Sequence, residues 1–383
     1  MILTNIFLEH FRSSNKNSFL FSPQSTLVIG PNTAGKTNLL EAIYLLATGK
    51  SFRADIEKEM ISYEQEIARV RATVSEVAGH ESSDDESLRS ATRLEIMLTT
   101  GQVSGQAAPY KKYLINGVSK RMVDFIGNLP AVLFWPEDLD LVTNSPSRRR
   151  KYLDLVLCQV DREYRRSLMS YEKGLRQRNK LLERIRDEGS NPVQLAFWDK
   201  LLIRNGSFLT DKRQDFIEFV NNFHLSFPLI GGVNLHFHLE YDKSVISEAR
   251  LQQYAQEEVA AGATLVGPHR DDFLIRIFPH KYPNETLPDR QAGESGRDVS
   301  IYGSRGEQRL AILWLKLAEL EFITQKTGTR PILLLDDIFS ELDHQHRQYV
   351  FKVIPQQQTI ITTTDLHLID KDYLKEVKVI ELK

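Results

Sequence analysis

The sequence has little of what marks secreted, membrane-spanning or metal-cluster proteins. One cysteine, Cys158, among 383 residues excludes an internal disulfide and a cysteine-ligated metal cluster. The longest apolar runs, such as residues 131–135 and 331–335, are far shorter than the roughly 20 residues that span a bilayer. The N-terminal residues lack the basic start and continuous apolar stretch of a secretory signal. We therefore expect a cytoplasmic protein with no membrane partner, and Cys158 in the core.

The sequence also has no strong excess of either charge. Its 49 basic and 51 acidic residues give a formal net charge of -2, which excludes a uniformly basic DNA-coating protein but not a local basic face. The hydrophobic fraction of 41% and the charged fraction of 26% are typical of globular proteins. No internal repeat is present, and the length predicts two or three domains.

Both ends of the chain have patterns typical of an α/β domain. The apolar residues 25–29 lead into turn formers and predict a strand, and the apolar spacing after Thr37 predicts a helix that ends near Thr48 with Gly49 as its cap. Near the other end, the patterns predict helix 307–324, strand 332–335, helix 344–353 and strand 359–363. This alternation predicts one α/β domain closed by both chain ends.

The middle of the chain is different, because residues 147–186 have a helical pattern with 13 cations. Ser190 or Asn191, followed by Pro192, is typical of the start of a second long helix, so the two helices predict an inserted arm. The polar segments 75–92 and 280–298 are expected to be loops.

The octapeptide from Gly30 to Thr37 matches the phosphate-binding P-loop, in which backbone N–H groups surround phosphates at a helix N-terminus. Glycines 30 and 35 allow unusual backbone angles and close approach, Lys36 places a cation beside the β- and γ-phosphates, and the Thr37 hydroxyl binds Mg²⁺. A chance match in a turn is the alternative, but the flanking strand and helix favour the P-loop. The predicted ATP-binding residues are Gly30, Pro31, Asn32, Thr33, Ala34, Gly35, Lys36, Thr37 and Asn38.

Two adjacent carboxylates, Asp336 and Asp337, end the apolar run 332–335. Like charges this close raise each other's pKa values unless a cation separates their roles, so Mg²⁺ is a natural partner. We expect Asp336 to hold the metal with Thr37, and Asp337 to act in catalysis with Lys36 by orienting or deprotonating the attacking water. The alternative is an ordinary strand end capped by acids.

A short turn of small residues precedes the helix predicted from residue 307. Its candidate phosphate-binding residues are Ser304, Gly306, Glu307 and Gln308. The segment is a weak signal by itself, because an ordinary capped helix N-terminus looks the same. Its position ahead of the acidic strand favours the functional interpretation.

The order of these three elements resembles that of ABC-type ATPase heads, and the details resemble the RecF family of bacterial recombination mediators. The resemblance covers essentially the whole chain. Its matching stretches are GPNTAGKTNLLEAIYLLATGKSFR, FWPEDLDLV with SPSRRRKYLD, LVGPHRDDF, YGSRGEQR, LLLDDIFSELD and ITTTD.

The resemblance implies an α/β fold: an ABC-type P-loop ATPase head with a mixed sheet and flanking helices, formed by residues 1–143 and 263–383. Residues 144–262 would form an inserted, mainly helical arm. It further implies a homodimer in which Ser304 and Gly306 contact ATP bound to the partner copy, with the D-loop residues Ser340 and Asp343 at the seam. Two threonines, Thr363 and Thr364, stand where ABC transporters have a switch histidine.

The same resemblance leaves two family stretches, 134–139 and 266–272, without a role derived from their chemistry. His269 and Arg270 could face nucleotide or DNA, or form ion pairs with Asp271 or Asp272.

The basic helices favour DNA as a partner, with backbone contacts and little sequence preference. The candidate DNA-binding residues are Arg148, Arg149, Arg150, Arg176 and Arg178. The resemblance implies a weak, DNA-stimulated ATPase in recombinational repair and replication-fork maintenance, in which Mg-ATP drives dimerisation on DNA and mediator proteins are partners. The alternatives are a solvated helix pair without DNA, a transport or SMC-like ATPase subunit, and a nuclease-associated ATPase.

Overall fold

The computed structural model describes residues 1–75, 91–223, 227–228, 234–280, 296–342, 344–364, 367, 369, 374 and 377–382. Most of the two segments predicted as polar loops lies outside these residues. The chain forms two compact units, Met1–Glu137 with Ile323–Lys383, and Asp138–Phe322. Residues 138–143 and 263–322, which the resemblance places in the ATPase domain, lie in the second compact unit. The expected domain boundaries stay a prediction.

Seventeen strands are described in these residues, and several had no counterpart among the predictions. They are β1 (Ile2–Phe11), β2 (Ser14–Leu20), β3 (Ser25–Ile29), β4 (Ile67–Ser75), β5 (Thr92–Thr99), β6 (Gln102–Val103), β7 (Gln106–Ala107), β8 (Lys111–Ile115), β9 (Val118–Lys120), β10 (Ala131–Phe134), β11 (Phe227–Pro228), β12 (Asn234–Asp242), β13 (Asp272–His280), β14 (Arg297–Asp298), β15 (Ile332–Asp336), β16 (Thr359–Thr363) and β17 (Lys378–Glu381).

The α-helices in the described part of the chain range from single turns to long helices. They are α1 (Lys36–Thr48), α2 (Met122–Phe125), α3 (Asp140–Thr143), α4 (Pro146–Val160), α5 (Arg162–Glu188), α6 (Leu195–Asn221), α7 (Glu248–Gln253), α8 (Ala255–Ala261), α9 (Val299–Tyr302), α10 (Arg305–Thr327), α11 (Ile338–Glu341) and α12 (His344–Val353). None of the helices within the described ranges is long and apolar enough to cross a membrane.

The first unit contains three sheets: the two-stranded sheet β6-β7 and two larger sheets that both contact α1. One is a six-stranded antiparallel sheet in the order β2-β1-β4-β5-β8-β9, and the other is a five-stranded parallel sheet in the order β10-β15-β16-β3-β17. Helix α1 contacts strands of both sheets and is buried along almost its whole length, as expected for a helix that is apolar on most of its faces. Because the sheet is parallel, β3, β15 and β16 end at the same edge, which is where ligands bind in such sheets.

The second unit combines the long helices α4, α5 and α6 with a four-stranded antiparallel sheet, β11-β12-β13-β14. Gly174 of α5 faces α6 so closely that a Cβ atom there would lie 2.5 Å from the Leu201 side chain. The predicted single helical pattern over 147–186 is interrupted at Asp161, whose carboxylate caps α5 by accepting from the backbone N–H groups of Glu163 and Tyr164. Cys158 is half-buried, so its predicted place in the core was wrong.

Candidate nucleotide site

The P-loop connects β3 to α1 and has the backbone that its sequence predicts. Gly35 has a φ of 92° and Thr33 a φ of 76°, and the helix begins at Lys36. Gly30 has a different reason to be glycine, because a Cβ atom there would lie 2.6 Å from the carbonyl oxygen of Leu382. The loop therefore presents a helix N-terminus whose N-cap residue, Gly35, has no side chain to bond its first N–H groups, as anion-binding helix termini do.

Lys36 is folded into this loop. Its Nζ donates to the carbonyl oxygens of Gly30 at 2.7 Å and Pro31 at 2.9 Å, and the residue is only 8% exposed. The cation is thus held within the turn that would surround the phosphates.

Asp336 connects the P-loop helix to the parallel sheet. Its Oδ1 accepts a hydrogen bond from the hydroxyl of Thr37 at 3.2 Å and another from the hydroxyl of Thr362 at 2.6 Å, and the residue is 5% exposed. A carboxylate and a hydroxyl this close are the hard oxygen ligands that Mg²⁺ takes, with the remaining positions left to phosphate and water. The site therefore fits the predicted metal. Within the described ranges, no group of three acidic, histidine or cysteine side chains could hold a metal alone.

Asp337 lies next to this carboxylate in a conformation unusual for a residue with a side chain, with a φ of 50°. Its backbone N–H donates to the carbonyl and to the hydroxyl oxygen of Thr362, both at 3.2 Å. Its Oδ1 is buried and accepts no hydrogen bond from the described residues. Burial, followed by the charge of Asp336, raises the pKa of Asp337. The raised pKa makes this carboxylate a better proton acceptor than an exposed one.

A buried ion pair beneath the P-loop helix was not found by sequence reasoning. Glu41 is fully buried on α1, where it accepts two hydrogen bonds from Arg12 at 2.6 and 2.8 Å and one from Ser51 at 2.5 Å. Asn38, one turn earlier, bonds to the Ser13 hydroxyl at 2.9 Å and to Arg53 at 3.1 Å. These contacts hold two segments, residues 12–13 and 51–53, against α1. No local pattern in the sequence predicts the contacts.

Comparison with known proteins agrees with this site. A family model described as the RecF/RecN/SMC N terminal domain matches residues 2–380. A curated protein named DNA replication and repair protein RecF, from Herpetosiphon aurantiacus, is 35% identical over 98% of this chain and 97% of its own length. This chain belongs to the RecF family. A protein of the same name from Roseiflexus castenholzii is also 35% identical, over 99% of this chain and 97% of its own.

Solved structures of the same family share the fold. The recombination mediator protein RecF-ATP of the RecFOR pathway has a TM-score of 0.78 and 31% identity, over 96% of this chain and 93% of its own. The RecF-ATPrS structure has a TM-score of 0.77 and 32% identity, over 96% and 94%. The predicted fold class, an α/β ABC-type ATPase head with a mixed sheet and flanking helices, is confirmed, as is the resemblance to RecF.

In this RecF-family chain, the predicted signature residues lie at the start of α10. Ser304 and Glu307 form a reciprocal capping box: the Ser304 N–H donates to the Glu307 carboxylate at 2.7 Å, and the Glu307 N–H donates to the Ser304 hydroxyl at 3.2 Å. Ser304 and Gly306 are exposed, whereas Gln308 is buried and donates to the Val299 carbonyl at 3.2 Å. Their role toward nucleotide stays a prediction.

The two predicted D-loop residues follow the acidic strand. The hydroxyl of Ser340 donates to the carbonyl oxygen of Asp337 at 2.7 Å, which ties the loop to the carboxylate pair. Asp343 lies outside the described residues. In place of a switch histidine, Thr363 is buried, and the exposed Thr364 lines a pocket of 370 Å³ beside Gly30.

The family stretch 266–272 forms the centre of a buried polar network in the second unit. Asp271 is fully buried and accepts from Arg213 at 3.0 Å, from Tyr241 at 2.5 Å and from the Ser244 N–H at 2.7 Å. Asp272 accepts two hydrogen bonds from Arg149 at 2.6 and 2.8 Å. The two carboxylates therefore pair with arginines of distant helices.

His269 has a structural role in the same network. Its Nε2 lies 2.9 Å from the Thr264 carbonyl, which can only accept, so Nδ1 must accept from the Tyr171 hydroxyl at 2.8 Å. Burial lowers the His269 pKa to about 4, which keeps the ring neutral. Arg270, by contrast, is exposed.

Two of the five arginines predicted to contact DNA are buried. Arg149 is 6% exposed and bonded to Asp272, and Arg178 is 2% exposed and paired with Asp199 and Glu258, both at 2.7 Å. These two predictions are corrected, because the guanidinium groups are used inside the protein. Arg148 and Arg176 are exposed and Arg150 is half-buried, so these three stay candidates.

Proposed function

We propose that this RecF-family chain is an ATP-binding protein of DNA replication and repair, in which Mg-ATP drives homodimerisation on DNA and slow hydrolysis reverses it. The observation that carries the proposal is the convergence of Thr37, Asp336 and Thr362 beside a P-loop that holds Lys36. A phosphate ligand with a divalent cation would use all of these groups together.

In the proposed ATP-bound state, the N–H groups at the start of α1 and the Lys36 ammonium bind the phosphates. Thr37 and Asp336 would hold Mg²⁺, which would supply charge neutralisation at the phosphate oxygens. The hydroxyl of Thr362 keeps its hydrogen bond to Asp336 and so orients the carboxylate.

Hydrolysis requires a group that accepts a proton from the attacking water, and Asp337 is the proposed base. Its buried oxygen without a bonded donor among the described residues, and its raised pKa, support that role. A weak, DNA-stimulated rate is part of the proposal, in which ATP acts as a conformational switch.

The dimer is proposed because the signature residues Ser304 and Gly306 are exposed at a helix N-terminus. The Ser304 hydroxyl accepts within its own helix and keeps its proton available for a phosphate on the partner's P-loop. The partner's signature segment would complete each nucleotide site, with Ser340 and Asp343 at the seam.

DNA is proposed to bind along one face of α5, which we call the α5 stripe. Five cations at spacings of three, four and seven residues fall on the same face of the helix. All five are exposed: Arg162, Arg166, Lys173, Arg176 and Lys180. Such a row suits the DNA backbone and carries no base-specific pattern.

Further elements of the proposal rest on the family alone. They are a cytoplasmic location and recombination-mediator proteins as partners. The competing functions, a transport or SMC-like ATPase subunit and a nuclease-associated ATPase, predict different responses to DNA.

The test is an ATPase assay with and without DNA, combined with gel filtration with and without Mg-ATP. We expect turnover to rise with DNA and the elution volume to shift from monomer to dimer only with ATP. An ATPase that ignores DNA and stays monomeric would contradict the proposal, and DNA cleavage would favour the nuclease alternative.

A further inference from the structure

A buried charge cluster lies within the second unit. The Lys316 ammonium is 3.1 Å from the carboxylate of Asp138 and 3.5 Å from that of Glu319. These residues are 4%, 7% and 2% exposed, respectively. The ammonium also lies 5.1 Å from the centre of the Tyr152 ring, a cation–π contact.

The cluster holds two carboxylates for a single ammonium. Burial, with the charge of Asp138 as a further contribution, raises the Glu319 pKa to about 7, although Lys316 and the Tyr152 hydroxyl act in the opposite direction. Buried ion pairs seldom stabilise a fold more than apolar side chains of similar size would. A cluster with a surplus acid is therefore poorly explained by stability alone.

The positions of the three residues along the chain suggest another purpose. Lys316 and Glu319 belong to α10, the helix that begins directly after the signature residue Ser304. Asp138 lies in the family stretch 134–139, in the short turn that follows β10.

Strand β10 runs beside the strand that carries the predicted metal ligand. Phe134, the last residue of β10, is paired with Leu335, the residue before Asp336. The Asp138–Lys316 pair therefore joins two segments of the chain. One is α10, which follows the signature residue Ser304. The other is the turn after β10, the strand paired with the metal-binding strand β15.

We propose that Lys316 is a positioning residue for the signature segment, and that its bond to Asp138 fixes α10 in the orientation needed to meet nucleotide on a second copy. This inference rests on the proposed function, because it assigns the residue a part in ATP-dependent dimerisation. It also gives the stretch 134–139 a role.

The cluster offers a matched pair of variants that test this role. Asp138→Asn and Glu319→Gln each leave Lys316 with one carboxylate, so both variants keep a balanced charge in the interior. Only Asp138→Asn removes the ion pair between the turn and the helix. Lys326→Met, an exposed lysine on the same helix, is a surface control.

The experiment measures ATP affinity, melting temperature and the dimer dissociation constant in Mg-ATP for the wild type and these variants. We expect Asp138→Asn to weaken dimerisation at least tenfold with ATP affinity changed less than twofold, and Glu319→Gln and Lys326→Met to dimerise like the wild type. Lys316→Arg should retain more dimerisation than Lys316→Met.

Three outcomes would overturn the inference. Equal dimerisation of Asp138→Asn and Glu319→Gln, or a parallel loss of ATP binding and melting temperature in Asp138→Asn, would show that the cluster is only structural while the proposed function survives. A wild type that does not dimerise with ATP would overturn the proposed function and this inference together.

Discussion

Thr37 and Asp336 lie 299 residues apart in sequence, yet the hydroxyl of one donates to the carboxylate of the other at 3.2 Å. Two parallel strands that end at one edge of the sheet bring them together. Neither residue alone identifies a nucleotide site, because a threonine at a helix start and an aspartate at a strand end are common. Their contact beside the P-loop turns two local motifs into one candidate site.

Replacing Lys36 by methionine should weaken ATP binding by about 100-fold, because the charge-assisted bonds to phosphate are removed. Titration with a fluorescent ATP analogue measures the change. Lys58→Met, an exposed lysine of the same unit, is the control and should bind like the wild type. ATP binding by Lys36→Met at wild-type affinity would contradict the role of the P-loop in ATP binding.

Replacing Thr362 by valine should lower ATP turnover while ATP affinity falls little. The variant keeps the side-chain shape but loses the 2.6 Å bond that orients Asp336. We expect a drop on the order of tenfold in turnover, as for other residues that orient a metal ligand. Unchanged turnover, measured by phosphate release, would mean that Asp336 needs no such support.

Replacing Asp337 by asparagine should leave ATP binding intact and lower turnover by about 100-fold or more, because the general base is removed. Closed dimers should then accumulate in Mg-ATP, which sedimentation can measure. Wild-type turnover in the variant would refute the assigned role.

Reversing charge on the α5 stripe should weaken DNA binding. For the double variant Lys173→Glu and Arg176→Glu, the slope of log affinity against log salt should fall by about 0.9 for each DNA phosphate that the variant no longer neutralises. Lys326→Glu, an exposed cation on α10, should change the slope little. Fluorescence anisotropy at several salt concentrations measures both, and a wild-type affinity that does not respond to salt would exclude backbone binding.

The free energy of unfolding should carry a contribution from Glu319 that depends on pH. Its folded-state pKa, about 7, is above the value of 4.5 expected when exposed, so the folded state binds the proton more tightly. This contribution is full below pH 4.5 and is lost as pH rises towards 7. Glu319→Gln should therefore flatten that part of the stability profile, as measured by urea unfolding. An identical slope in both proteins would contradict the raised pKa.

The parts of the site that the sequence predicted are those with a local signal. The P-loop and the acidic strand end are contiguous motifs, and the predicted strands 25–29 and 359–363 match β3 and β16. The hydrogen bond between Thr362 and Asp336 could not be predicted from the sequence, because it depends on β16 lying next to β15 in the sheet.

The arm shows why charge patterns alone mislead. Arg149 and Arg176 look alike in sequence, but Arg149 is bonded to Asp272, 123 residues away, whereas Arg176 is exposed. Burial depends on partners that are distant in the chain. The sequence does place the five cations of the α5 stripe on one helix face, once α5 is taken to start at Asp161.

Our proposal that the signature segment of a second copy completes each nucleotide site can be tested by mixing two inactive variants. Lys36→Met lacks a working P-loop, and Ser304→Arg should bind ATP but fail to dimerise. Each variant alone should be inactive. A mixture can form a heterodimer with one intact site, built from the P-loop of one variant and the signature segment of the other. We predict that mixing restores ATP turnover and ATP-dependent dimers; a mixture as inactive as its components, or ATP-driven dimers of Ser304→Arg alone, would contradict the claim.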